Sequence, residues 1–119
     1  MAIRVEVRQR VEELTAELRL LLHGEGGLPP AGTKFIDMED QAAEMGDALA
    51  RALLSQVLEQ QAQQAAAQPS VCCPQCGRAA AADAEPEPRL LQTRRGDVTW
   101  RETKHTCRRC RRAFFPSEP

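Results

Sequence analysis

The chain has 119 residues, of which three are Phe, one is Trp and none is Tyr. It is too short for a catalytic barrel or for a doubly wound nucleotide-binding fold with a substrate domain. So few aromatic side chains exclude a large aromatic core, and a small domain then needs another source of stability. The net charge of −1 is the sum of −5 over residues 1–70 and +4 over residues 71–119. The basic second half is therefore expected to bind any anionic partner.

The start of the chain predicts a cytoplasmic protein. The first ten residues, MAIRVEVRQR, are charged from the fourth position and lack the apolar run of a secretory signal. No stretch reaches the ~20 apolar residues of a membrane span, so no membrane partner is expected. Cysteines in a reducing compartment rarely form structural disulfides, and their spacing is therefore interpreted as metal or redox chemistry.

Residues 3–23 are predicted to form the first helix. Its apolar residues recur at intervals of four and three, as on one face of a helix; they are Val7, Val11, Leu14, Leu18 and Leu21. Glycines and prolines between residues 24 and 32 then end the helix and form a loop.

Residues 37–66 are predicted to form the second helix, with Asp37 as its N-cap. The apolar stripe consists of Met38, Ala42, Met45, Leu49, Leu53 and Val57. Gly46 interrupts it at a cost of about 1 kcal/mol relative to Ala, which favours a close approach by another helix. We expect an antiparallel helical hairpin over residues 1–68, whose core is completed by self-association or by packing on another domain. The alternative is a stripe that packs only within the monomer.

Residues 71–119 are predicted to form a small second domain of short strands and turns. The Ala- and Pro-rich stretch 79–88 is interpreted as a flexible insert. Residues 90–95 and 98–105 are expected to be two strands around the turn Arg95-Gly96-Asp97.

The cysteine spacing is the strongest signal in the sequence. Two CxxC pairs, Cys73 with Cys76 and Cys107 with Cys110, are separated by thirty residues. A structural Zn²⁺ takes four soft ligands in a tetrahedron, and two intervening residues let one tight turn present two thiolates. The sequence therefore predicts one structural Zn²⁺ held by these four cysteines. The predicted fold is α+β, a helical hairpin followed by a small zinc ribbon with a β-hairpin between its knuckles.

Other interpretations of the cysteines stay open but are less favoured. A redox CxxC normally begins a helix in a thioredoxin-like setting, which neither pair has here. Cys72 is the spare thiol, although a shifted register that uses Cys72 in place of Cys73 is an alternative. His105 is expected to be a strand residue rather than a metal ligand.

Six cations cluster within twelve residues around the second CxxC pair. They are Arg101, Lys104, Arg108, Arg109, Arg111 and Arg112. Such a cluster is expected to contact phosphates and to give salt-dependent DNA binding. Trp100 and the pair Phe114-Phe115 could stack on bases; the favoured alternative is that Trp100 and one Phe form the small core beneath the metal.

An enzyme is not expected, and no catalytic residue or small-molecule substrate is assigned. A closed four-cysteine site has no open coordination position. The sequence also lacks a triad arrangement, a phosphate-binding GxxxxGK[ST] loop and an HExxH motif.

The whole layout resembles the N-terminal region of ISKra-type insertion-sequence transposases. The resemblance rests on FIDME at 35–39, a long helix, CPQCG at 73–77, an R-x-x-x-T-x-x-G-x-V stretch and a second CxxC that runs into an FFP tail. The stretch and the tail supply Arg89, Thr93, Gly96, Val98, Phe114, Phe115 and Pro116.

The resemblance implies a DNA-binding or end-recognition role for the ribbon. In that family a metal-dependent DDE nuclease domain follows, and the present chain stops where it would begin. We therefore expect a truncated or stand-alone DNA-binding module that does not cut DNA. The alternative function is a protein-interaction adaptor that forms a homodimer through its N-terminal helices.

Overall fold

The computed structural model describes residues 2–83 and 85–117, in which two helices precede six short strands. The helices are α1, Val5–His23, and α2, Phe35–Ala67. The strands are β1 Val71–Cys72, β2 Ala79–Ala82, β3 Glu87–Thr93, β4 Gly96–Glu102, β5 His105–Cys107 and β6 Arg112–Phe114. Neither helix in this described part of the chain has the length and apolarity that a membrane crossing requires.

The α+β class and both helices are confirmed. Helix α1 ends at His23, and the next residue, Gly24, takes a φ of 80° and donates its N–H to the carbonyl of Leu20 at 2.8 Å. Helix α2 begins at Phe35, so the expectation that Asp37 caps it is wrong. Asp37 lies instead in the first turn, where its charge complements the helix dipole.

The chain divides into two compact units between Gln41 and Ala42, inside α2. These units do not coincide with the predicted domains 1–68 and 71–119, because the later part of α2 packs on strands of the second unit. In the first unit, α1 has no buried residue. The antiparallel packing of the two helices stays a prediction. The outer ends of the predicted domains, Met1 and Pro119, lie outside the described residues.

The second unit contains two antiparallel sheets. Strands β1, β2, β5 and β6 form a four-stranded sheet in that order, and β3 and β4 form a separate hairpin. The prediction of a flexible insert at residues 79–88 is wrong at both ends. The alanines at 79–82 form β2 in the middle of the larger sheet, and Glu87 and Pro88 begin β3. The side chain of Ala80 is buried in one cluster with Cys73, Cys107 and Phe114.

The turn of the β3–β4 hairpin lies one position earlier than expected. Thr93 pairs with Gly96, which leaves Arg94 and Arg95 as the turn residues. The Thr93 hydroxyl accepts the backbone N–H of Arg95 at 3.0 Å and donates to the Gly96 carbonyl at 2.7 Å. Gly96 takes a φ of 112°, which favours glycine over any residue with a side chain.

Polar side chains of α2 satisfy the free edge of β4. The Ser55 hydroxyl donates to the carbonyl of Thr99 at 2.7 Å, and the Glu59 carboxylate accepts the backbone N–H of Arg101 at 3.0 Å. These two backbone groups point away from β3 and would otherwise have no partner within the hairpin. The helix therefore takes the place of a third strand and covers an exposed sheet edge.

Apolar packing joins the same two elements. Ala62 of α2 is buried with Val98 and Trp100 of β4, and Leu54 and Leu58 pack against them. Leu49, Leu53 and Val57 of the predicted apolar stripe are exposed, because the hairpin packs on a different side of the helix. The expected self-association through this stripe stays a prediction.

A buried carboxylate holds the C-terminal segment against the hairpin. Glu102 is 3% exposed and accepts hydrogen bonds from the Arg89 guanidinium at 3.0 Å and the Trp100 indole at 3.3 Å. It also accepts the backbone N–H of Ser117 at 3.1 Å and the Ser117 hydroxyl at 2.6 Å. The Arg89 guanidinium in turn lies 3.7 Å from the centre of the Phe115 ring.

We expect Glu102→Ala to lower the free energy of unfolding by about 3 kcal/mol, because it removes a buried carboxylate that accepts four hydrogen bonds. Urea unfolding followed by the fluorescence of Trp100, the single tryptophan, measures this loss. Asp97→Ala, at an exposed position of the same strand, is the control and should cost less than about 0.5 kcal/mol. Equal losses in the two variants would contradict the role given to Glu102.

Candidate metal centre and basic groove

The first CxxC pair lies in a tight turn closed by backbone hydrogen bonds. The N–H of Cys73 donates to the carbonyl of Arg78 at 2.8 Å, and the N–H of Gly77 donates to the carbonyl of Cys73 at 2.9 Å. Gly77 takes a φ of 76°, a left-handed conformation that favours glycine. The turn connects β1 to β2 and directs the Cys73 and Cys76 thiols to one side.

The second CxxC pair repeats this geometry between β5 and β6. The backbone N–H of Cys110 donates to the Cys107 sulfur at 3.5 Å. Arg111 follows Cys110 as Gly77 follows Cys76, and it takes a φ of 55°. It is the one residue other than glycine with a positive φ in the described part of the chain. A left-handed conformation costs an L-residue about 1–2 kcal/mol, so Arg111 occupies a strained backbone position.

The structure brings the four predicted sulfur atoms together, all within 4.8 Å of one another. The sulfur of Cys76 lies 3.5 Å from that of Cys107, and the sulfur of Cys73 lies 4.0 Å from that of Cys110. Metal–sulfur bonds of about 2.3 Å in a tetrahedron place the sulfurs about 3.8 Å apart, which these distances match. They are far longer than the ~2.05 Å of a disulfide, and all five cysteines are free.

Hydrogen bonds within the cluster shift the pKa values of the thiols. The backbone N–H of Cys110 stabilises the Cys107 thiolate and lowers the pKa of that group to about 7. The backbone N–H of Cys76 likewise lowers the pKa of Cys73. Hydrogen bonding with Cys76 raises the pKa of Cys110. The turns therefore supply N–H donors for negative sulfur, the state in which cysteine binds a metal.

The core beneath the cluster is very small. Cys73 and Cys107 are buried with Ala80 and Phe114, while Trp100 belongs to the separate core against α2. The prediction that Trp100 and one Phe form the core beneath the metal is thus confirmed for Phe114 and wrong for Trp100. The cause is the register of the hairpin, which turns Trp100 toward Ala62.

The remaining candidate ligands lie outside the cluster. Cys72 is exposed and is not among the four grouped sulfurs, which favours the register that uses Cys73. His105 is a strand residue, as predicted, and is not in the group either. Its side chain is completely buried beside the ring of Phe114, and neither ring nitrogen has a hydrogen-bond partner.

Two of the six predicted DNA-contacting cations have internal partners. Arg101 donates from its guanidinium to the carbonyl of Pro86 at 2.8 Å. Lys104 forms an ion pair with Glu87 at 3.4 Å and lies 5.6 Å from the Phe115 ring centre. These two side chains therefore contribute less to an anion-binding surface than their charge suggests.

The other four cations surround the second pair of cysteines. They are Arg108, Arg109, Arg111 and Arg112, all exposed. Within residues 2–83 and 85–117 none of the four takes part in an ion pair. Their guanidinium groups are accordingly available to an external anion.

A fifth cation, missed by the sequence analysis, joins this surface. Arg78 lies with Arg108 and Arg109 along a groove of about 410 Å³ between the two cysteine turns. The sequence CPQCGR contained a signal for Arg78. This residue directly follows the first cysteine turn, and it must therefore lie near the second cysteine turn when the four cysteines meet.

No protein-family model, curated protein or solved structure matches this chain. The geometry of the cysteine cluster and of the basic groove is therefore the basis for assigning a function.

We expect the purified protein to hold one metal ion per chain through these four thiols. Cys107→Ser should abolish metal retention, because a structural site needs all its ligands, whereas Cys72→Ser should leave it unchanged. Elemental analysis with thiol titration measures both. Less than about half an equivalent of metal in protein with intact thiols would refute the site, since structural metal sites bind by about 10–16 kcal/mol.

Proposed function

We propose that this protein is a zinc-ribbon module that binds DNA through the basic surface around its second cysteine turn. The observation that carries the proposal is the set of four clustered thiols directly beside arginines without ion pairs. As the sequence resemblance implies, the module belongs to a transposase-like protein and serves recognition and assembly rather than catalysis.

The choice of zinc follows from the ligand set. Four thiolates in tetrahedral reach favour Zn²⁺ or iron among common metals, and Zn²⁺ is the usual ion of a closed structural site. The small core of two cysteines, one alanine and one phenylalanine cannot hold four short strands by burial alone. The ion contributes folding free energy by joining the two turns.

The choice of DNA follows from the charge pattern. A Zn²⁺ with four thiolates carries a net charge of −2, and the surrounding arginines exceed what is needed to offset it. Guanidinium groups bind phosphate oxygens with paired hydrogen bonds, and several such contacts give strongly salt-dependent binding. Arg111 keeps its charge at a position where glycine would be more stable, which a purely structural role does not explain.

The residues of the transposase-like stretch have folding roles in this chain. Arg89 pairs with the buried Glu102, Thr93 closes the hairpin turn, and Val98 is buried against α2. We therefore assign these residues a role in folding and no contact with DNA.

We expect Arg111→Gly to weaken DNA binding while it preserves or raises stability. The substitution removes one charge but relieves a left-handed backbone, which should stabilise the fold by about 1 kcal/mol. Loss of one phosphate contact should weaken binding about tenfold at low salt, as about 1.4 kcal/mol corresponds to that factor. Fluorescence anisotropy with a labelled duplex and urea unfolding measure the two effects.

Arg94→Ala, in the exposed hairpin turn, is the matched control for loss of one positive charge. It should leave the affinity nearly unchanged, because it lies outside the proposed surface. Failure of the intact, metal-loaded protein to bind duplex or single-stranded DNA at low salt would refute the proposed function. Iron in place of zinc would refute the metal assignment only.

A second candidate function is self-assembly through α2. Leu49, Leu53 and Val57 are 57%, 61% and 46% exposed on the side of the helix away from the hairpin. Gly46 lies near this stripe with open space above its Cα, which lets another helix approach closely. A second copy of the same stripe fits this surface, because both partners then bury their apolar residues.

We expect the double substitution Leu49→Glu and Leu53→Glu to convert a dimer to a monomer, because it buries charge in the contact between copies. Light scattering and sedimentation measure the change. Gln92→Glu, which adds a charge at an exposed position of β3, outside α2, is the control and should leave the dimer intact. A wild-type protein that is strictly monomeric at high concentration would exclude this candidate.

A further inference from the structure

The groove beside the metal centre differs in charge from the other cavity near the predicted DNA-contacting residues. Arg78, Arg108 and Arg109 line the groove, and none of its lining residues is acidic. The cavity that contains Arg101 is lined also by carboxylates, including Glu59 and Glu102. The groove beside the metal centre therefore favours an anion, whereas the carboxylates of the other cavity already offset the positive charge of Arg101.

The strands that line the groove contribute only short side chains. These are Ala79 and Ala81 of β2 with Thr106 of the neighbouring β5. A peptide partner usually needs a pocket for an aromatic or large aliphatic side chain, and these short side chains form none. Three guanidinium groups around a shallow floor suit the oxygens of successive phosphates instead.

The aromatic residues of the second unit are not available for stacking on bases. Trp100 and Phe114 are buried in two separate cores, and the Arg89 guanidinium covers the ring of Phe115 at 3.7 Å. Proteins that prefer single strands rely on exposed aromatic side chains as stacking platforms. The described residues of the second unit provide no such platform beside the groove, so we expect its contacts to nucleic acid to be to the backbone.

We infer that the groove binds the phosphate backbone of duplex DNA and that Arg78 is a third contact residue, supplied by the first cysteine turn. The inference rests on the proposed function and assigns its partner and mode of binding. Contacts to the backbone alone fix the position of the protein on the duplex without selecting a base sequence.

Metal binding and DNA binding are coupled in this arrangement. Arg78 follows the first cysteine turn, whereas Arg108 and Arg109 lie within the second. The thiol cluster and two residue pairs between β2 and β5 are what hold the turns side by side. Removal of the metal should therefore separate the three guanidinium groups and weaken duplex binding.

The test measures binding of the full chain, loaded with Zn²⁺, to three probes by fluorescence anisotropy across a salt series. The probes are a 20-base-pair duplex, one of its single strands and a polyglutamate of similar charge. We expect the duplex to bind most tightly and two unrelated duplex sequences to bind equally. Arg78→Ala should weaken duplex binding about tenfold and reduce the slope of log affinity against log salt by about 0.9.

Two further variants separate charge from folding. Arg78→Lys keeps the charge and should recover most of the salt slope, whereas Arg94→Ala, outside the groove, should bind as the wild type does. Zinc content and Trp100 fluorescence report whether each variant is folded.

The outcomes distinguish the inference from the proposed function. Absence of DNA binding by the wild type overturns the proposed function. If Arg109→Ala weakens duplex binding but Arg78→Ala does not, and both variants are folded and loaded with zinc, the inference alone is overturned. Tighter binding of the single strand, or displacement of the duplex by polyglutamate at equal charge, also overturns it.

Discussion

The convergence of four thiols on one point is the constraint on which the four-stranded sheet depends. Strands of two to four residues have too few hydrogen bonds to persist alone, and the residues buried beneath the thiols are mainly cysteine and alanine. The two turns carry the thiols at the ends of β1 and β5, so joining the sulfurs also sets the order of the four strands. This strand order also forms the groove, because each of its arginines lies within a few residues of a cysteine and is brought together with the others when the thiols meet.

A different principle holds the β3–β4 hairpin. It has no metal ligand, and its stability comes from α2, which supplies an apolar face and two polar side chains for the open edge of β4. The buried pair of Arg89 and Glu102 then ties the C-terminal segment to the hairpin. Thus the second unit has two small cores with different chemistry, one held by sulfur and one by a helix.

The sequence predicted the features that have strong local signals. Both helices and the cysteine cluster follow from spacing alone, because apolar periodicity and CxxC turns are short-range properties. The side of α2 that the β3–β4 hairpin covers could not be predicted from the sequence. Leu53 and Leu58 are equally apolar, and only the position of the hairpin determines which of them is covered. The alanine strand β2 was missed because its propensity is poor and its pairing depends on distant cysteines. Arg78 was missed for the same reason, as its neighbours lie thirty residues away.

The cover that α2 provides for β4 has a consequence for how the protein behaves under mild stress. If the C-terminal half of α2 detaches, the Thr99 carbonyl and the Arg101 amide lose their partners while the hairpin remains formed. An uncovered strand edge is a template for addition of a strand from another molecule. Partial melting of the helix would then lead to aggregation through β4, even in protein whose cysteine cluster remains intact.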